Sequence, residues 1–236
     1  MKILAFDSTA RAASVAVLED GQLLGQYNID NGFTHSELLL PMAENLLKSL
    51  GIDISEIGLF AAAVGPGSFT GVRIGAALVK GLAFGRDIPC VEVSTLEALA
   101  ENMTGTVGYI IGTLDARRAQ VYTATFSSNG EEMKRITEDR VMPIAELAAE
   151  LFGKHMDVYV VGDAYKSVHA ALLKAGVNVK NTPPLARGGS AYSIGRVAYK
   201  HFTEGKAVSD RELSPKYLRM PQAERERLEK LNKGEV

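Results

Sequence analysis

ILAFDSTARAASVAVL, residues 3–18, and GTLDARRAQVYTA, residues 112–124, read as two versions of one pattern. Each is an apolar run that ends in an aspartate, then a turn carrying arginine, then a second apolar run. Short apolar runs bounded by turn residues read as buried strands. Around these two pairs the predicted order is the same: three strands, a helix, a strand, a helix. In the first half the strands fall at residues 2–7, 13–18, 22–29, 59–64 and 90–93. Helices fall at 38–50 and 70–84, and a third opens at Ser94, where Glu97 completes a capping box. In the second half strands are expected at 108–114, 120–126, 131–141 and 157–161, with helices after Pro143, at 164–175 and at 190–202. The duplicated arrangement predicts an α/β fold of mixed sheets flanked by helices. The division is residues 1–104, 105–212 and a tail at 213–236, whose stretch from Glu224 to Lys233 is charged and helical in propensity, and which is expected to dock partly and then fray.

The chain has 236 residues, 46% hydrophobic and 23% charged, which suits folded domains and not a disordered chain. Its formal charge is −2, so it lacks the basic excess of a protein that grips nucleic acid unaided. A local basic patch stays open. The single cysteine, Cys90, rules out an internal disulfide and suits a reducing compartment. The opening residues lack the long apolar core of a signal peptide, and no apolar run is long enough to cross a membrane. The expected compartment is the cytoplasm.

Gly65-Pro66-Gly67-Ser68-Phe69-Thr70-Gly71 follows a buried strand and opens a helix. Glycines there permit a sharp turn and close backbone approach, and a helix start can hold an anion. No Gly-Lys-Ser/Thr follows, and the glycine spacing misses the dinucleotide fingerprint. The alternative is a tight strand-to-helix turn capped by Ser68 or Thr70. Asp7-Ser8-Thr9 could hold a metal-bound phosphate, or Asp7 could simply cap a hairpin turn. His35 is four residues from Leu39, so the helix has no pair of metal-binding histidines. Thr34 and Glu37 form a capping box instead. Arg117 and Arg118 crowd the turn after Asp115, where a phosphate would need room.

Two helices are apolar on many faces. Leu38, Leu39, Met42 and Leu46 on the first, and Val72, Gly75, Ala76, Val79 and Leu82 on the second, are read as a partner-binding face. The alternative is burial within their own domain.

GPGSFTGVRIG at residues 65–75, ILAFDST, FTHSELLLPM at 33–42, LDARRAQVY at 114–122 and PKYLR at 215–219 together resemble the TsaB (YeaZ) family, across nearly the whole chain. The resemblance implies the actin-like ATPase fold of sugar kinases and heat-shock ATPases, with two RNase H-like domains. It implies a role in making threonylcarbamoyladenosine in tRNA. There the paralogue TsaD transfers the threonylcarbamoyl group, the ATPase TsaE joins it, and the TsaB-like chain is the non-catalytic partner. A homodimer using the same helical face is implied where TsaD is absent. tRNA would be reached indirectly, through the complex. No cofactor of its own is implied, and ATP or ADP would belong to the joint between subunits. Asp7, Ser8, Thr9, Gly65 and Gly67 would be a vestigial nucleotide-binding set. The rival is a small ATPase or kinase of the same fold. A peptidase finds no support, since neither a Ser-His-Asp arrangement nor a zinc helix is present.

Overall fold

The computed structural model describes residues 1–219. Two mixed sheets are each covered by helices on both faces. The first sheet contains β1 (Lys2–Asp7), β2 (Ala13–Glu19), β3 (Gln22–Ile29), β4 (Ile57–Gly65) and β5 (Cys90–Ser94) in the order β3-β2-β1-β4-β5. β1 runs antiparallel to β2 and parallel to β4. The β2–β3 turn is Asp20-Gly21, both at positive φ, as a two-residue hairpin requires. α1 (His35–Leu50) and α2 (Phe69–Ala83) follow β3 and β4. α1 opens where the Glu37 carboxylate accepts from the Thr34 N–H at 3.2 Å, and Gly51 closes it in the left-handed region.

The second sheet contains β6 (Val107–Asp115), β7 (Gln120–Asn129), β8 (Met133–Arg135), β9 (Arg140–Pro143), β10 (Val158–Val161) and β11 (Val179–Lys180). Its order is β11-β10-β6-β7-β8, with β9 also on β7. The single strand expected at 131–141 is therefore two short ones, which share one side of β7. β11 is an addition of two residues, too short to leave a period in the sequence. The helices are α3 (Thr95–Glu101), α4 (Ile144–Leu151), α5 (Tyr165–Lys174) and α6 (Ala191–Thr203). The charged stretch expected to be helical at 224–233 lies outside the described residues.

Strand alternation sorts the core. Leu4 and Phe6 of β1 face α1 and α2, while Ile3 and Ala5 face Ala191, Ile194, Val197 and Ala198 of α6. Leu96 and Leu99 of α3 pack with Ile110, Leu114 and Phe126 of the second sheet. α4 and α5 cover that sheet's other face. Thus α3 follows the first sheet in the chain but packs largely on the second, and α6 follows the second but packs on the first.

α3 and α6 also join the halves through polar groups. The Glu97 carboxylate accepts from Arg135 at 3.2 Å and lies 3.1 Å from His201. Arg135 also donates to Asp139 at 2.6 Å, and Asp139 accepts from the Ser94 hydroxyl at 2.6 Å. Arg196 pairs with Glu101 at 2.9 Å. Ser94 caps α3 as expected, accepting from the Glu97 N–H. The expected capping box is not completed, because the Glu97 side chain turns away to Arg135 and His201.

Burial alone would raise the Glu97 carboxyl, but the hydrogen bond and charge of His201, with Arg135, outweigh it and hold it at about 2 against an ordinary 4.5. A depressed carboxyl stabilises the fold above its unfolded value, and that stabilisation is lost as pH falls. The contribution of this clasp should be full above about pH 4.5 and fade towards pH 2. Glu97→Gln should cost about 2 kcal/mol at pH 7 and flatten the acid limb of the stability curve. Urea unfolding at stepped pH reads both effects.

Candidate functional site

β1 and β4 are parallel neighbours, so the turn after Asp7 and the turn after Gly65 lie side by side at the same sheet end. They are bonded to each other. The Ser68 N–H donates to the Thr9 carbonyl at 2.7 Å, and the Ser8 hydroxyl donates to the Gly71 carbonyl at 2.8 Å. The glycines make this approach possible. Gly67, at φ 156°, would place a Cβ 2.6 Å from the Thr9 carbonyl oxygen. A Cβ on Gly71 would overlap the Ser8 carbonyl, and one on Gly75 would lie 2.5 Å from the Ser8 hydroxyl oxygen. Ser68 caps α2 by accepting from the Gly71 N–H at 3.2 Å.

Asp7, Ser8 and Thr9 are buried. One Asp7 oxygen accepts from the Thr9 N–H at 2.9 Å and from the Thr9 hydroxyl at 2.7 Å. This is the turn-capping use of an aspartate. Gly189 passes so near that a Cβ would collide with the other carboxylate oxygen. Burial raises the Asp7 carboxyl above the usual range, opposed by the two Thr9 bonds and the positive side of His35. His35 opens α1, with its imidazole 3.3 Å from the Arg11 carbonyl.

Gly65 is closed from the other side. Residues 213–219 cross the sheet end, and a Cβ on Gly65 would lie 2.6 Å from the Lys216 carbonyl oxygen. The crossing strap is anchored along its length. Leu213 is fully buried, and its carbonyl accepts from Lys80 of α2 at 2.9 Å. The Lys216 N–H donates to Val64 at 2.7 Å. Tyr217 stacks on Phe69 at 4.8 Å and accepts from Arg73 at 2.7 Å. Arg219 then reaches the second half, donating to the Ala116 carbonyl at 2.6 Å and to Gln120. The tail was expected to dock in part, and residues 213–219 do so, but the sequence does not say where.

Between the two sheet ends lies a cleft of about 750 Å³. One wall has Arg11, Gly67, Ser68 and Phe69, the other has Asp115, Arg117, Arg118 and Asp163, and the strap forms its edge. Arg117, Arg118 and Ala119 are three successive non-glycine residues at positive φ, of 64°, 54° and 56°. Such backbone is costly, and it turns both arginines outward. The Arg117 N–H donates to Asp115 at 2.8 Å, and its guanidinium is 3.7 Å from the same carboxylate.

The nine residues read as a partner face lie in or against the chain's own core. Leu39, Met42, Leu46, Ala76 and Val79 are buried against the first sheet, with Leu38 and Leu82 half-buried beside them, and Val72 is buried at the inner side of the cleft. Gly75 is buried facing Ser8. The apolar stripes are therefore filled by intramolecular packing, and the small residues of α2 admit a turn of this chain. The same helices expose Leu40, Pro41, Ala77 and Gly81. Cys90 is buried, and burial first, then the charge of Asp210, pushes its thiol up to about 11, which suits no nucleophile.

Gly71→Ala should destabilise the chain by more than about 3 kcal/mol, because the neighbour it meets is backbone. Gly81 has open space around it, so Gly81→Ala should stabilise by about 0.5–1 kcal/mol. Thermal unfolding of the two variants checks the contrast.

The family model described as "TsaD: tRNA N6-adenosine threonylcarbamoyltransferase" matches residues 32–226. The tRNA threonylcarbamoyladenosine biosynthesis protein TsaB of Escherichia coli (strain K12) is 30% identical, over 93% of this chain and 95% of its own length. That of Bacillus subtilis (strain 168) is 31% identical, over 95% and 96%. The solved structure of YeaZ from Pseudomonas aeruginosa superposes with a TM-score of 0.76 at 27% identity, covering 92% of this chain and 99% of that one. The (R)-2-hydroxyglutaryl-CoA dehydratase component A of Acidaminococcus fermentans reaches 0.51 at 14% identity, covering 86% and 99%, a likeness of fold alone. The fold is that of the actin-like ATPases and sugar kinases.

Proposed function

The chain belongs to the TsaB (YeaZ) family, and from that premise we propose that it is an accessory, non-catalytic subunit of tRNA threonylcarbamoyladenosine biosynthesis. In this reading it binds and supports the transferase TsaD, together with the ATPase TsaE, in the cytoplasm. The printed names of the relatives support the pathway. The match to a family model named for the transferase supports a paralogous relation to TsaD.

One observation carries the non-catalytic part. The groups that would hold a phosphate at the first turn are already engaged within the chain, the Ser68 N–H with Thr9 and the Ser8 hydroxyl with Gly71. A nucleotide held as the fold's ATPases hold one does not fit this arrangement. Arg117 and Arg118 at the second turn support the same conclusion, as does Leu39 where a metal helix would want a second histidine. The chain then has no cofactor of its own, and ATP or ADP belongs to the joint between subunits. TsaD carries the principal contact with tRNA.

The surface we assign to TsaD, or to a second copy in its absence, is the outer side of α1 and α2. The buried stripes face the chain's own sheet, and Leu40, Ala77 and Gly81 are exposed on the opposite side. Leu40, Phe33 and Phe84 are 41%, 65% and 74% exposed, large apolar groups at the ends and flank of these helices. Ala77→Arg and Gly81→Arg should leave the chain folded and reduce co-elution with TsaD at least tenfold. Undiminished co-elution of both removes this face from the account.

Reconstitution tests the function itself. TsaD, TsaE, a source of threonylcarbamoyl-adenylate and unmodified tRNA are combined with and without this chain, and the modified adenosine is quantified. Product that depends on the chain, with no ATP hydrolysis by the chain alone, is expected. Equal product without it, or hydrolysis by the chain alone, favours the small ATPase or kinase.

A further inference from the structure

The cleft between the sheets has a chemistry that the accessory role leaves unused. The chain carries a net charge of −2, yet five cations line this one cleft, Arg11, Arg117, Arg118, Lys216 and Arg219, against two carboxylates, Asp115 and Asp163. The Arg11 and Arg117 side chains are 82% and 89% exposed, on opposite walls, and their pairs with Asp30 at 2.8 Å and Asp115 at 3.7 Å are surface pairs that a phosphate can replace, while Lys216 is held by Glu92 at 2.9 Å. Arg118 pairs with no carboxylate among the described residues. Arg219 donates to an uncharged carbonyl and an amide, and pairs with no carboxylate among the described residues. Tyr217 is 42% exposed at the rim, its ring tilted by 33° against Phe69 and with Arg73 at 5.6 Å from its centre. Cations spread along an open groove with an available aromatic face suit a strand whose phosphates are separated and whose bases can stack. A free nucleoside polyphosphate would instead need donors converging on one point, and at the glycine turn the Ser68 N–H is already bonded to Thr9.

We propose that this cleft binds single-stranded RNA, with phosphates on Arg11, Arg117 and Arg118 and a base against Tyr217. The proposal adds a direct contact to the indirect one assigned above. It rests on the accessory reading only for which RNA is bound, namely a strand of the tRNA being modified. Each cation that releases a counterion adds to the salt dependence of binding.

The test is fluorescence anisotropy of the full chain with a fluorescein-labelled single-stranded RNA of about ten nucleotides. Binding should saturate at about 50 mM salt and weaken at least tenfold by about 200 mM. Arg117→Asn with Arg118→Asn, chosen because asparagine tolerates left-handed backbone, should weaken it tenfold or more. Arg11→Gln, on the other wall, should weaken it several-fold, and neither should change the melting temperature or co-elution with TsaD. Excess MgATP should not displace the RNA. Absence of binding at low salt, unchanged binding by both variants, equally tight binding of duplex DNA, or displacement by MgATP would each overturn the proposal. If the chain binds RNA as described but does not co-elute with TsaD, the accessory reading fails and this one stands.

Discussion

The Thr9 carbonyl accepts the Ser68 N–H at 2.7 Å, and the Ser8 hydroxyl donates to Gly71 beside it. This contact between two turns fixes much of the rest. It needs parallel β1 and β4, so that the turns lie side by side. It needs glycine at 67, 71 and 75, because a side chain at each would meet the first hairpin. It buries Asp7 with a Thr9 hydroxyl and N–H on one oxygen, and burial raises that carboxyl. The hydroxyl of Ser8 and the N–H of Ser68 are thus spent on contacts between the two turns.

Two devices hold the halves around the cleft that remains. Away from it, α3 and α6 exchange sheets, and the Glu97, Arg135 and His201 cluster ties them together. At its rim, the strap at 213–219 runs from the buried Leu213 to Arg219 on the β6–β7 turn. Opening the cleft would have to break bonds at both places. The basic character of the cleft follows from the same geometry, since Arg219 arrives on the strap and Arg117 and Arg118 project from the turn that receives it.

The duplicated pattern was legible because it is local. Apolar runs, the Asp20-Gly21 turn, the Ser68 and Ser94 caps and the glycine after α1 act within a few residues of themselves. The partner face was misread for a physical reason. Periodicity tells that Leu39, Met42, Val72 and Val79 share a covered side, but not whether the cover is the chain's own sheet. Gly75 was read as part of that face, and the group it meets is Ser8 of the chain's own first turn. The exchange of α3 and α6 left no sequence signal, because an apolar stripe does not say which sheet it meets. Glu97 at the third position of α3 fitted a capping box, and only the arrival of Arg135 and His201 from distant segments redirects it. The strap is of the same kind, since its worth lies in contacts with residues about a hundred or more positions away.

The central claim is that the turns of this fold bond to one another at the expense of a phosphate. Isothermal titration calorimetry of the isolated chain with MgATP tests it most directly. The account predicts no saturable heat at micromolar concentrations. Micromolar binding of one nucleotide per chain, lost on Asp7→Asn, would contradict it and return the first turn to use as a nucleotide site.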